Sequence, residues 1–137
     1  MFIVGDIGNT DTKICLVNSK KKIIRKINFS SKNITDKQLK KNFKILKLQN
    51  LNLKKCLFCS VVPKTFKIIK KYIKKNCKVK CFELKDLKIN KLIKIKVNKK
   101  QIGSDRLANA IGSMNNKDNF IILDFGTATT FDVLIKN

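Results

Sequence analysis

Apolar residues recur along this chain at two different spacings. The opening "MFIVGD" is an apolar run that ends in a turn signal, and "TKICLVN" alternates, with Ile14 and Leu16 set against Cys15 and Val17. "KKIIRKINFS" adds a third extended segment after another short turn. Strands joined this tightly predict an antiparallel meander. The period then lengthens. In "TDKQLKKNFKILKLQ", Leu39, Phe43 and Leu46 share one helical face, with Thr35-Asp36 as the cap. "CLFCSVV" predicts a fourth strand, and Pro63 opens a second helix whose Phe66, Ile69 and Ile73 line one side. "KVKCFEL" predicts a fifth strand, and the Lys/apolar alternation from Ile93 to Val97 predicts an extended segment. "SDRLANAIGSMNN" reads as a third helix with Ser104 as its N-cap. "NFIILDF", "GTA" and "TTFDVLIKN" then read as strand, turn and strand. The whole is a mixed α/β domain, residues 1–118, followed by the opening hairpin of a second one, residues 119–137.

Charge changes this picture less than its size suggests. The net charge is +23, which invites a nucleic-acid partner. Yet Arg25 and Arg106 are the only arginines among 32 basic residues. Base readout favours the bidentate fork of arginine over the point charge of lysine. Tyr72 is the single tyrosine, and no aromatic platform for base stacking is visible. The lysines, spread over the chain among many Ile and Asn, fit a compositional bias better than a nucleic-acid face. No run of 18 apolar residues offers a membrane span, and the start lacks a basic region or cleavage site, so the expected location is cytoplasmic.

The five cysteines include Cys56-x2-Cys59 and Cys77-x3-Cys81, close to a zinc-ribbon pattern. The first pair falls on one predicted strand, and Cys81 of the second falls on another. Residues three apart on a strand face opposite sides, and residues four apart are separated by roughly 13 Å. Reduced thiols packed as small hydrophobes are the better reading.

The chemistry sits in two stretches of similar shape, "DIGNTDTKICLV" from Asp6 and "DFGTATTFDVLI" from Asp124. Superposed, they pair Asp6 with Asp124, Gly8 with Gly126, Asn9 with Thr127 and Thr12 with Thr130. A glycine in a tight strand-to-strand turn lets a ligand approach the backbone. The next residues offer N–H groups and hydroxyls to phosphate oxygens, the Asp can hold a cation nearby, and Lys13 can reach a phosphate as a point charge. A single Asp-x-Gly-polar turn is an ordinary hairpin; two, each opening an α/β unit, are less easily ordinary.

That arrangement resembles the actin-like ATPase and sugar-kinase superfamily, which has one phosphate-binding hairpin per lobe. Between the hairpins runs "IGSDRLANAIG", Ile102 to Gly112. Together with "DIGNT", "SVVP" (Ser60 to Pro63) and "DFGTATTFD", it is similar to the type III pantothenate kinases over essentially all 137 residues. The resemblance implies an actin-like (ribonuclease H-like) fold and ATP-dependent phosphorylation of pantothenate to 4′-phosphopantothenate, the first step towards coenzyme A. It assigns Asp6, Ile7, Gly8, Asn9, Thr10, Asp11, Thr12 and Lys13 to the first phosphate loop and Thr127 to the second. Asp6 stands near the Mg²⁺-phosphate complex, and Asp124 holds a monovalent cation, K⁺ or NH₄⁺. Gly103, Ser104, Asp105 and Arg106 contact pantothenate, with Asp105 accepting the proton of the attacking hydroxyl. A homodimer that uses the third helix is also implied.

Two departures from the family pattern stand out. Lys96 and Lys99 occupy positions where an aromatic residue and a proline are usual in the segment lining the pantothenate site. The family also continues for roughly as long again beyond the second hairpin, so the resemblance implies a kinase either truncated in its second lobe, with activity impaired by that, or completed by a second polypeptide. A non-catalytic regulatory or nucleic-acid-binding accessory protein, and an inactive remnant of the kinase, are the alternatives to the enzyme.

Overall fold

The structure, a computed structural model, describes residues 1–98, 101–115, 117–126 and 128–136. It divides into two compact units, Met1–Leu87 and Lys88–Asn137.

The first unit is a two-layer α/β arrangement. Its sheet holds β1 (Phe2–Ile7), β2 (Asp11–Val17), β3 (Ile23–Ser30), β4 (Lys55–Ser60) and β5 (Cys81–Glu83) in the order β3-β2-β1-β4-β5. The tight turns between β1, β2 and β3 allow only antiparallel pairing. Helices α1 (Asp36–Ile45) and α2 (Pro63–Cys77) provide the long crossovers that let β4 and β5 run parallel to β1. Alternation sends Ile3 and Ile7 of β1, Ile14 and Leu16 of β2, and Cys56 and Phe58 of β4 into one core, which Leu39 and Phe43 of α1 and Ile69 and Ile73 of α2 close. Each such fully buried aliphatic or aromatic side chain contributes about 1.5–3 kcal/mol of transfer free energy.

Local signals set the helix ends. The Thr35 hydroxyl accepts the Gln38 N–H at 3.2 Å, capping α1 as its sequence predicts. Pro63 takes the first turn of α2, where its missing N–H costs nothing. The helix ends at Lys78, which adopts the left-handed region (φ 53°). The expected fifth strand from Lys78 to Leu84 is therefore only Cys81–Glu83, because Lys78 is still turning the chain out of the helix.

Two features hold the β1–β2 hairpin to this core. Gly5 faces inward beside Phe58, its partner on β4, and a Cβ at Gly5 would lie 2.2 Å from the phenyl ring. Thr12 is fully buried, and its hydroxyl shares a 2.8 Å hydrogen bond with that of Ser31, whose carbonyl accepts the Thr65 hydroxyl of α2 at 3.3 Å. Buried polar groups need such partners, and this chain of three links β2, the end of β3 and α2.

Cys56 and Cys81 face each other across β4 and β5 inside the core. Burial pushes the Cys56 thiol from its ordinary 9.0 to about 12 and the Cys81 thiol to about 11. The folded state thus keeps two protons that the unfolded chain releases near pH 9. Their contribution to stability is complete below that pH and is lost as pH rises from 9 through about 12. Urea midpoints measured at about pH 8 and about pH 10.5 should fall for the parent chain, and less so for Cys56→Ala/Cys81→Ala; equal falls would remove the thiols as the cause.

The second unit contains α3 (Ser104–Ser113) and an antiparallel hairpin of β6 (Phe120–Phe125) and β7 (Thr129–Leu134). Strand alternation gives the hairpin two unlike faces. Ile122, Asp124, Thr130 and Asp132 are half-buried on the α3 side, whereas Ile121, Phe125, Phe131 and Val133 on the other side are 64–78% exposed. The Ile93–Val97 alternation makes no strand: the chain turns at Ile89–Lys91, with Ile93 N–H bonded to the Ile89 carbonyl at 3.0 Å, and the segment joins neither sheet among the described residues. Among the described residues no helix is long and apolar enough to cross a membrane.

Candidate functional site

In the first unit, the β1–β2 turn carries the "DIGNTDTK" residues. Gly8 N–H bonds the Asp11 carbonyl at 2.9 Å and closes the turn, leaving Asn9, Thr10 and Asp11 exposed at its tip. A side chain at Gly8 would press on that same carbonyl at 3.2 Å, so glycine keeps the turn tight. Ile7 is buried and offers only backbone, its carbonyl accepting the Val61 N–H at 3.0 Å. Thr12 likewise points into the core, its hydroxyl committed to Ser31. The side chains open to a ligand are thus Asp6, Asn9, Thr10, Asp11 and Lys13.

Asp6 and Lys13 are cross-strand partners on the sheet face opposite the helices. Cys59, the parallel partner of Asp6 on β4, places its Sγ 3.5 Å from Asp6 Oδ1 and 3.7 Å from the Gly5 carbonyl. This thiol donor to the carboxylate was not foreseen from sequence, although Cys59 precedes the "SVVP" segment.

In the second unit, the N-cap of α3 is Gly103, not Ser104. Gly103 has the extended geometry of an N-cap (φ −65°, ψ 151°), while Ser104 is already helical and fully buried. Asp105 therefore lies in the first turn, where the positive end of the helix favours a carboxylate. Its Oδ1 accepts the Arg106 backbone N–H at 2.8 Å.

Arg106 reaches β7. Its Nε lies 3.0 and 2.9 Å from the two Asp132 carboxylate oxygens, and its Nη2 pairs with Oδ1 as well. That hydrogen-bonded pairing raises the arginine's pKa further, so it stays charged throughout the working range. One turn along α3, Asn109 Nδ2 donates to Asp124 Oδ2 of β6 at 3.1 Å. Helix and hairpin are thus joined by Arg106–Asp132 and Asn109–Asp124. Beside Asp124, its cross-strand partner Thr130 has a buried hydroxyl with no hydrogen-bond partner among the described residues.

Asn109, Thr130 and Asp132 lie inside the motifs "DRLANA" and "TATTFD" yet carried no assignment of their own. The signal was the helical spacing that puts Asn109 on the same side as Arg106, and the strand period that puts Thr130 and Asp132 on the same side of β7. Exposed Lys96 lines a groove of about 450 Å³ within this unit, together with Ile95, Arg106 and Phe131. The expected second-loop residue Thr127 and Lys99 lie outside the described residues.

Two Asp-Gly hairpins and a Gly-Ser-Asp-Arg helix start thus stand in one mixed α/β chain. The family model of the type III pantothenate kinases matches residues 2–137, and the chain belongs to that family. The type III pantothenate kinase of Pelagibacter ubique (strain HTCC1062) is 67% identical over 137 residues, all of this chain and 55% of the relative. Those of Sulfurihydrogenibium sp. (strain YO3AOP1) and Thermus thermophilus are 34% and 30% identical over 100% and 98% of this chain, with 56% and 55% of their own lengths covered. The chain spans little more than half the length of these curated relatives.

Proposed function

We propose that this chain carries the hydroxyl-activating and phosphate-contacting part of an ATP-dependent pantothenate kinase with an actin-like fold. The observation that supports it most is the first turn of α3. There Asp105 has one carboxylate oxygen on its own helix N–H, and the next residue, Arg106, is held by β7. A hydroxyl placed against the other Asp105 oxygen gives up its proton as it attacks the γ-phosphorus of ATP. Arg106 orients the far end of pantothenate through its carboxylate. The β1–β2 turn presents the Asn9 and Thr10 amides and Lys13 to phosphate oxygens.

The oxygen donors present suit the ions that the family implies. Asp6 would hold Mg²⁺ with the phosphates; Asp124 with the unsatisfied Thr130 hydroxyl would hold a monovalent cation. These ions supply neutralisation of phosphate charge. The same reading includes a homodimer formed through α3, with a further polypeptide segment covering the bare hairpin face.

The test is ADP release coupled to pantothenate, with K⁺ and Mg²⁺ present. A chain completed with the remaining length of the Pelagibacter ubique relative should turn over only when pantothenate is added. It should sediment as a dimer at micromolar concentration. The 137 residues alone should be slower by about 10²-fold or more, because positioning both reactants is most of the work in phosphoryl transfer. Pantothenate-independent ADP release by the completed chain would count against the reading. Robust, salt-resistant turnover by the 137 residues would show that the additional length is dispensable.

A further inference from the structure

We propose that Asp132 is the positioning residue that aims Arg106 at the substrate carboxylate; this rests on the pantothenate kinase reading above. A guanidinium is planar, with two N–H groups on each terminal nitrogen and one on Nε. Asp132 takes the whole Nε/Nη2 edge, with Nε at 3.0 and 2.9 Å, and Nη2 also reaches the Phe131 carbonyl at 3.5 Å. Nη1 has no hydrogen-bond partner among the described residues. Because the group is rigid, fixing one edge fixes the direction of the other. Arginine otherwise has four rotatable side-chain bonds to order when a ligand binds, and a bond formed beforehand removes that cost from the binding step.

The surroundings suit a small carboxylate with a hydrocarbon body. Arg106 and Asp132 share their groove of about 450 Å³ with Ile95, Leu107, Phe131 and Lys96. That volume is within the range of small-molecule sites, and the walls are mainly apolar. Asp132 is set by β7 rather than by a loop: Ile122 is its cross-strand partner, and its side chain is only 17% exposed. A carboxylate so placed holds its partner in one orientation, whereas a solvent-exposed pair would hold it loosely. In this arrangement Asp132 acts through Arg106, the group it holds.

The test uses two readouts. This chain has only two arginines, so its ¹⁵N spectrum contains two Nε–H signals, and Arg106 is separable from Arg25. In the 137-residue chain the Arg106 Nε–H should exchange slowly, and Asp132→Asn should shift it and speed its exchange about tenfold or more. In the completed enzyme, Asp132→Asn should raise KM for pantothenate about ten- to a hundredfold, the range for loss of a hydrogen bond to a charged group. KM for ATP, and KM for the alcohol analogue in which the pantothenate carboxylate is replaced by CH₂OH, should move no more than about twofold. Asp132→Glu, which keeps the charge, should restore part of the pantothenate preference. An unchanged Arg106 signal in folded Asp132→Asn overturns the proposal, as does an equal loss for both alcohols. If Asp132→Asn does not fold, Asp132→Glu is compared with the unsubstituted enzyme instead: a rise in KM confined to pantothenate supports the proposal and an equal change for both alcohols overturns it. Failure of the kinase reading looks different, since the unmodified completed enzyme would phosphorylate neither alcohol while the Nε–H comparison still decides the clamp.

Discussion

Asp105→Asn in the completed enzyme is expected to slow pantothenate phosphorylation by about 10²–10⁴-fold while leaving the fold intact. The two parts of that expectation have separate origins. An asparagine oxygen can accept the Arg106 N–H in the place of Asp105 Oδ1, now at 2.8 Å, so the helix start keeps its local bond. The amide cannot take up the hydroxyl proton, so the chemical step loses its acceptor. The coupled assay and a thermal melt on the same preparation check both parts. Near-normal turnover would remove Asp105 as the acceptor. A large drop in Tm would show that its carboxylate is needed to hold α3.

Gly5→Ala should destabilise the first unit by about 2 kcal/mol or more, at the upper part of the range for overpacked cores. A Cβ at position 5 would meet two ring carbons of Phe58 at 2.2 and 2.4 Å. The ring is fully buried and already packs against Phe66 with centroids 6.0 Å apart, so it has no open space to swing into. Asp6 follows directly, so the displaced strand would also disturb the β1–β2 turn. Urea denaturation of Gly5→Ala, and of Gly5→Ala with Phe58→Leu, measures the clash. The double substitution should recover part of the loss, and a single mutant with an unchanged midpoint would show that the ring yields freely.

Residues that repeat along an element made the architecture readable. Alternation in β1, β2 and β4, and the spacing of Leu39 with Phe43 and of Ile69 with Ile73, announced their own faces. The two Asp-Gly turns were legible for the same reason, since a hairpin is local. What stayed hidden depends on which distant residue stands opposite. Nothing near Gly5 announces the Phe58 ring, and nothing near Thr12 announces Ser31. Arg106 could be read as a substrate contact, but its hold on Asp132, 26 residues away, required the hairpin to be folded against α3. The Ile93–Val97 segment alternates in the same way yet joins neither sheet, because a ladder depends on a partner that the local pattern does not name. Ser104 had the chemistry of a cap but was one residue too late, and Gly103 supplies the extended backbone instead.

The β6–β7 hairpin joins a charged face to a hydrocarbon face, and solvent composition acts on them in opposite directions. Screening by added salt weakens the pull of Asp132 on Arg106, though less than for a fully exposed pair. Sulfate and similar excluded salts strengthen the tendency of Ile121, Phe125, Phe131 and Val133 to leave water. Salting out this chain therefore weakens the charged link between hairpin and helix at the moment it favours covering of the hydrocarbon face. Dilute buffer does the reverse, preserving the helix contact and leaving the hydrocarbon wet. Only a surface that covers the outer strand face releases the hairpin from this opposition, and its handling in solution will change character once that surface is in place.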